Sequence, residues 1–195
     1  HALGTPSNPV FAQMYRRPAT SAGGVMLAAE LLAKGGGAYV PGGGTHHGMP
    51  DRANGFCFLN DPVLAIQSLR RNGAKRIAYV DIDAHHPDGV EYGFGGDPDC
   101  LMISVHEERL WPRSGPIEND GGGNALNLPV PRGFNDTEMA FVRDALILPR
   151  VIAHQPDAIV FLCGADGVEE DPLSHMVLSN NAHWDVLRGL MELAP

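Results

Sequence analysis

Ile77-Ala78-Tyr79-Val80-Asp81-Ile82-Asp83-Ala84-His85-His86-Pro87-Asp88 is the stretch that decides the fold. It opens on an apolar run with no polar alternation, the pattern of a strand covered on both faces. A strand over residues 76–83 is therefore expected. The second half holds Asp81, Asp83, Asp88, His85 and His86. So many ionisable groups are costly to bury unless they serve a charge between them. Strand ends of parallel sheets are where α/β proteins place their chemistry, so a divalent metal is the economical reading.

Outward from this stretch the same grammar repeats. Residues 38–40, 101–105 and 158–163 read as further apolar strands. Helices are expected over 21–34, 61–72, 136–153 and 181–193, with Pro149 interrupting the third. Asp61 reads as an N-cap with Pro62 at the first helical position. Long loops are expected over 41–60 and 106–128, both rich in glycine, and the first twenty residues read as irregular. Strands separated by helices predict an α/β fold, a parallel sheet with helices on both faces. No linker or repeat divides residues 1–195, so one domain is expected. It reads as incomplete, because nothing follows the last helix at Pro195 and the chain opens on His1 rather than Met.

Composition narrows the function classes. The chain has 195 residues, 44% hydrophobic and 19% charged, which is a globular balance. Its formal net charge is −9, with no basic run, so direct nucleic-acid binding is not expected. No apolar stretch approaches the roughly 20 residues that span a bilayer, and no secretory leader is visible. Three scattered cysteines, Cys57, Cys100 and Cys163, argue for a reducing, cytoplasmic setting rather than a disulfide framework. Cys57 and Cys163 read as buried hydrophobes and Trp184 as core; His154, His175 and His183 read as surface or packing residues.

Four polar clusters follow the four expected strands: His46-His47, then Asp81 to Asp88, then Ser104 and His106, then Asp166. In a parallel sheet these ends share one edge. On an extended chain Asp83 and His85 point to the same side, and Asp166 offers a third ligand from another strand end. Two carboxylates and one imidazole leave coordination positions open, as catalytic sites do. The set suits zinc, with iron, cobalt or manganese as alternatives. Taken singly, an Asp-rich strand end reads equally as a helix cap, and His46-His47 as a loop pair bonded to backbone. Gly42–Gly44 and Gly121–Gly123 lack the spacing of phosphate-binding loops, and no serine elbow or cysteine nucleophile is present. A metal-activated water with a histidine base is then the natural nucleophile.

The residues at this point resemble the histone deacetylase family. Gly43-Gly44-Thr45-His46-His47, Gly55-Phe56-Cys57-Phe58-Leu59-Asn60-Asp61, Asp81 through Gly89, Ser104-Val105-His106 and Cys163-Gly164-Ala165-Asp166 follow its motifs in order across most of residues 8–185. The likeness is to the class I-like bacterial branch that includes acetoin-utilisation deacetylases. Acetylpolyamine hydrolases usually carry Asn where Asp88 stands. The resemblance implies the arginase/deacetylase three-layer α/β/α fold and hydrolysis of acetyl-lysine, or of another acetylated amine, to the amine and acetate. It implies a zinc ion, with iron in its place as the alternative, on Asp83, His85 and Asp166. It implies His47 as main base and acid held by Asp88, with His46 as electrostatic partner held by Asp81. Gly55, Phe56 and Trp111 would line the acyl-lysine tunnel. A structural potassium ion would sit on Asp81 and Ser104 with the carbonyls of Asp83, His85 and Val105.

Four departures from the family pattern are visible. The Gly-rich motif bearing a carbonyl-polarising tyrosine has no match within residues 1–195, and neither does the family's N-terminal segment. Ser7 stands where a rim aspartate is usual, and Pro87 replaces the usual Gly between His86 and Asp88. Weak or no activity is therefore expected of this chain alone. Acetylpolyamine hydrolysis and a non-catalytic metal-binding module are the alternative readings. His86 receives no role, and oligomeric state is not legible.

Overall fold

The computed structural model describes all 195 residues. They divide into two compact units, residues 1–74 with 87–94, and residues 75–86 with 95–195.

The second unit holds the sheet. Strands β1 (Ile77–Asp81), β2 (Cys100–Glu107), β3 (Ala125–Val130) and β4 (Ala158–Leu162) are all parallel, in the spatial order β3-β2-β1-β4. All five residues of β1 are buried, as a central strand of apolar sequence requires. The core gathers Ala78, Val80, Ile103, Val105 and Leu128 from the sheet. Against them pack Met139 and Val142 of helix α4 (Asp136–Val142), Val151 of α5 (Leu148–His154), and Val186 and Leu190 of α6 (Asn180–Leu193). The expected break near Pro149 appears as a π-turn over Arg143–Ile147, where the proline cannot donate to the preceding turn.

Strand order fixes where chemistry can sit. From β1 the chain moves outward to β2 and β3, then returns to the other side of β1 as β4. The reversal falls between β1 and β4, and the crevice beyond such a switch is the usual ligand position in open α/β sheets.

The first unit is helical. Helix α1 (Arg16–Leu31) packs on α2 (Asp61–Arg71), and α2 also meets the short α3 (Asp88–Phe94). The helix expected over 21–34 starts five residues earlier, inside the region expected to be irregular. Pro18 is tolerated there because the first-turn N–H groups have no helical partner anyway.

Three expectations are corrected. Residues 38–40 form no strand: Tyr39 is exposed and the segment, set between glycines and Pro41, has no neighbouring ladder. The expected loop 106–128 begins inside β2 and ends inside β3. Trp184 is 58% exposed on α6, because Ala182, Val186 and Leu190 form that helix's inner face instead.

Asp61 is a fourth. The N-cap of α2 is Asn60, whose side chain accepts from Val63 N. Asp61 is 1% exposed and turns back to organise the loop that carries His46 and His47. Its carboxylate accepts from Gly44 N at 2.9 Å, Thr45 N at 2.6 Å and the Thr45 hydroxyl at 2.6 Å. Asp61→Ala would leave these half-buried donors without their acceptor. Thermal unfolding should reveal a loss of about 2–4 kcal/mol, or about 5–15 °C in Tm for a chain of this size. An unchanged midpoint would remove Asp61 as the organiser of this loop.

Candidate metal centre and histidine pair

The second unit brings Asp83, His85 and Asp166 together. Asp83 and His85 lie just past the end of β1, and Asp166 lies in a short turn (Ala165–Gly167) just past β4, so the sequence-distant ligands meet at the switch between adjacent strands. One ligand atom from each falls within 4.8 Å of the others. His85 Nδ1 is 2.7 Å from Asp166 Oδ2 and 3.0 Å from Asp83 Oδ1. Backbone donors set the carboxylates: His85 N donates to Asp83 Oδ1 at 2.8 Å, and Ala84 N donates to Asp166 Oδ1 at 2.9 Å. The ligand side chains are 12–18% exposed, sheltered but reachable.

Burial pulls the His85 pKa down, but the hydrogen bonds and charges of Asp166 and Asp83 outweigh it and raise the pKa to about 10. Two carboxylates that hold a proton so firmly on Nδ1 form a good cradle for a cation of higher charge. The donor set fits a divalent metal: three protein ligands of O, N and O type, with room left over. Without metal, the ion pair's contribution to stability is complete below the ordinary histidine pKa near 6.5 and is lost as pH rises through about 10. Metal competes with that same proton. Zinc affinity should therefore climb about one decade per pH unit between pH 6 and 8, with about one proton released per ion. Calorimetric titration in buffers of different ionisation enthalpy would read that release, and its absence would contradict the protonated state of His85.

The loop past β4 leaves no space. A Cβ on Gly164 would sit 2.6 Å from Asp83 Cγ and 2.7 Å from Asp83 Cβ. Ser174 Oγ donates to the Asp166 carbonyl at 2.5 Å, and His183 Nε2 lies 3.0 Å from the Gly164 carbonyl. His175 has a partner too: its N–H donates to buried Glu107 at 2.6 Å. Cys163, expected to be buried, is exposed at the end of the sheet-edge strand β4, while Cys57 is buried as expected. Asp81 is fully buried, accepts from the Tyr79 hydroxyl at 2.5 Å and from Asp83 N at 2.9 Å, and pairs in register with Ser104. Ser104 Oγ lies 2.8 Å from His106 Nδ1. Val105 is fully buried within β2. Trp111 stands with its ring centroid 6.2 Å from that of His85.

The first unit builds a second cluster. His46 and His47 are 2% and 5% exposed, with their Nε2 atoms 3.0 Å apart. His47 Nδ1 lies 2.7 Å from Asp88 Oδ1 at the start of α3. The ionised carboxylate accepts, so neutral His47 carries its proton on Nδ1 and leaves Nε2 as the basic atom. Asn54 Nδ2 donates to Asp88 Oδ2 at 3.0 Å, and Asn60 Nδ2 bonds the His46 and Gly48 carbonyls at 3.0 and 2.9 Å. A Cβ on Gly89 would strike those same two carbonyls at 2.7 and 2.6 Å, so only glycine can follow Asp88 here. Gly55 and Phe56 both adopt left-handed backbone, φ 51° and 65°, and Phe56 is 72% exposed. Asn8 Oδ1 accepts from Phe56 N at 3.2 Å, which helps hold that unusual conformation. Asn8, Asn54, Asn60 and Asp61 are the functional supports that sequence reasoning missed. Asn60 and Asp61 lie within the Gly55–Asp61 motif and Asn54 adjoins it, whereas Asn8 had no sequence signal.

No helix is long and apolar enough to cross a membrane. The histone deacetylase domain family matches residues 2–195. The acetoin utilization protein AcuC of Bacillus subtilis is 34% identical, covering 96% of this chain and 51% of AcuC. Histone deacetylase HOS1 of Saccharomyces cerevisiae is 34% identical over 156 residues, 78% of this chain and 33% of HOS1. The crystal structure of an HDAC homolog from Aquifex aeolicus superimposes with a TM-score of 0.92 at 35% identity, covering 99% of this chain and 54% of that one. The chain thus spans about half the length of the curated AcuC relatives it matches. Parallel sheet, candidate ligands at the switch point and family match agree, and the chain belongs to the histone deacetylase domain family.

Proposed function

We propose that the chain carries the metal-binding and base-bearing part of a cytoplasmic zinc-dependent hydrolase that removes acetyl groups from acetyl-lysine in proteins. The observation that carries this reading is the Asp83–His85–Asp166 set, three converging donors at a sheet switch point. Membership in the histone deacetylase domain family supports it. A zinc ion bound there would polarise the acetyl carbonyl and lower the pKa of a water molecule. His47 takes the proton of the attacking water at Nε2, while Asp88 on Nδ1 stabilises the resulting imidazolium. His46 adds a second imidazole, its Nε2 3.0 Å from that of His47. Phe56 and Gly55 of the first unit, and Trp111 of the second, are the residues that would line a path for a thin acyl-lysine chain. Asp81 and Ser104, with the carbonyls of Asp83, His85 and Val105, would hold a potassium ion that stiffens the end of β1.

Acetate release from an acetyl-lysine peptide by the zinc-loaded chain tests the reading. A rate above the zinc-free background, lost in His47→Ala, is the expected result. It should fall about 10²–10³ below a family member that has a carbonyl-polarising tyrosine, since one oxyanion donor is worth about that much. A strong preference for acetylputrescine would move the substrate to small acetylated amines. Stoichiometric zinc with no acetate from either substrate would limit this chain to metal binding, as the missing tyrosine motif allows, whereas failure to bind zinc at all would overturn the reading.

A further inference from the structure

His86 stands next to a metal ligand yet is not part of the ligand group. It is 3% exposed, and a second imidazole, His106, is 2% exposed with its ring centroid 4.9 Å away. Two buried imidazoles are expensive unless their nitrogens are used. Both are used on the same loop. His86 Nδ1 is 2.9 Å from Ser114 Oγ, and His106 Nε2 is 2.9 Å from the Gly115 carbonyl. A carbonyl only accepts, so His106 carries its proton on Nε2 and its Nδ1 accepts from the Ser104 hydroxyl at 2.8 Å. The Nε2 bond ties the loop back to β2, and the Nδ1 bond holds the ring from within that strand. Gly115 is fitted to the same spot: its φ is +71°, and a Cβ there would lie 2.6 Å from His86 Cγ. Three residues before Ser114, the loop carries Trp111 beside the His85 ring.

We propose that His86 and His106 are positioning residues that clamp the loop at Ser114 and Gly115 and so fix Trp111 beside the metal ligand His85. In this way they set the wall that the substrate's acyl chain meets. The statement about substrate rests on the hydrolase reading; the clamp does not. The two can fail separately.

The chain has two tryptophans, so Trp184→Phe leaves Trp111 as the sole reporter. In that background Ser114→Ala changes an exposed side chain and should fold. It should raise acrylamide quenching of Trp111 about twofold or more in the metal-free chain. Gly115→Ala should do the same by steric displacement, Ser114→Thr should restore the parent value, and zinc stoichiometry should stay at about one in all three. Where acetyl-lysine peptide is hydrolysed, Ser114→Ala should raise KM about threefold or more with kcat unchanged. Parent-like quenching in both Ser114→Ala and Gly115→Ala would overturn the clamp. So would Ser114→Thr behaving like Ser114→Ala, or zinc lost together with the quenching change, which would make these residues part of the metal site's stability. An absence of hydrolysis in the parent would remove only the KM comparison and leave the quenching result standing.

Discussion

Asp166→Ala and His85→Ala should each reduce bound zinc from about one ion per chain to near zero after desalting, because a catalytic-type site with two protein ligands no longer competes with buffer. The loss in Asp166→Ala has a second component. Asp166 Oδ1 accepts from Ala84 N, so its removal also frees the backbone between the other two ligands. The same substitution deletes the hydrogen bond that does most to raise the pKa of His85. The mutant's His85 should titrate well below the parent value of about 10, closer to an ordinary histidine. Elemental analysis reads the first effect and NMR titration of the imidazole the second. Full metal content in either variant would refute the ligand assignment. Cys163→Ser, at an exposed position near the same loop, should retain its metal.

Gly164→Ala should be nearly as damaging, for a steric reason. Gly164 has φ −55° and ψ 132°, which any residue adopts, so backbone strain contributes nothing. The added methyl would instead occupy the position of the Asp83 side chain. Asp83 cannot swing away without giving up its bonds to His85 N and Nδ1. Zinc affinity should fall about 10²-fold or more, with about 1–3 kcal/mol of stability lost to overpacking. Gly23→Ala is the matched control. Gly23 lies within α1, where an added Cβ meets nothing within 4 Å, so alanine there should leave zinc binding intact and stabilise slightly. Equal zinc affinity in the two variants would show that the loop past β4 yields more easily than its packing implies.

The parts of this protein that were legible in its sequence are those where burial and chemistry left a pattern. Residues 77–80 are apolar throughout because β1 is central, and Asp83, His85 and Asp166 stand just beyond strand ends because the sheet is parallel. Strand β3 was hidden because Asn127 and Pro129 interrupt its apolar run. An edge position tolerates that, since one side of the strand needs no ladder partner. Helix α3 was hidden by its seven-residue length and by Gly89 and Gly93 within it. The segment 38–40 misled because apolar residues without a neighbouring strand make no ladder. Asn8, Asn54 and Asn60 act through amides bonded to backbone or carboxylate, an arrangement with no characteristic spacing. The clamp on Trp111 depends on His86 and Ser114, 28 positions apart, and only the folded loop brings them together.

The β1–β4 pairing also sets an order of events during folding. Ala84 and Asp166, which meet across the switch, are 82 positions apart in the chain. Closing so long a loop is slow, and contacts of that separation form late. A metal ion held by Asp83, His85 and Asp166 would therefore find its full set of donors only when the sheet is nearly complete, and would not nucleate the fold. Its effect should fall on the way out: zinc should slow unfolding while leaving the folding rate almost unchanged. The ion would serve this protein as a latch, set after the sheet has closed.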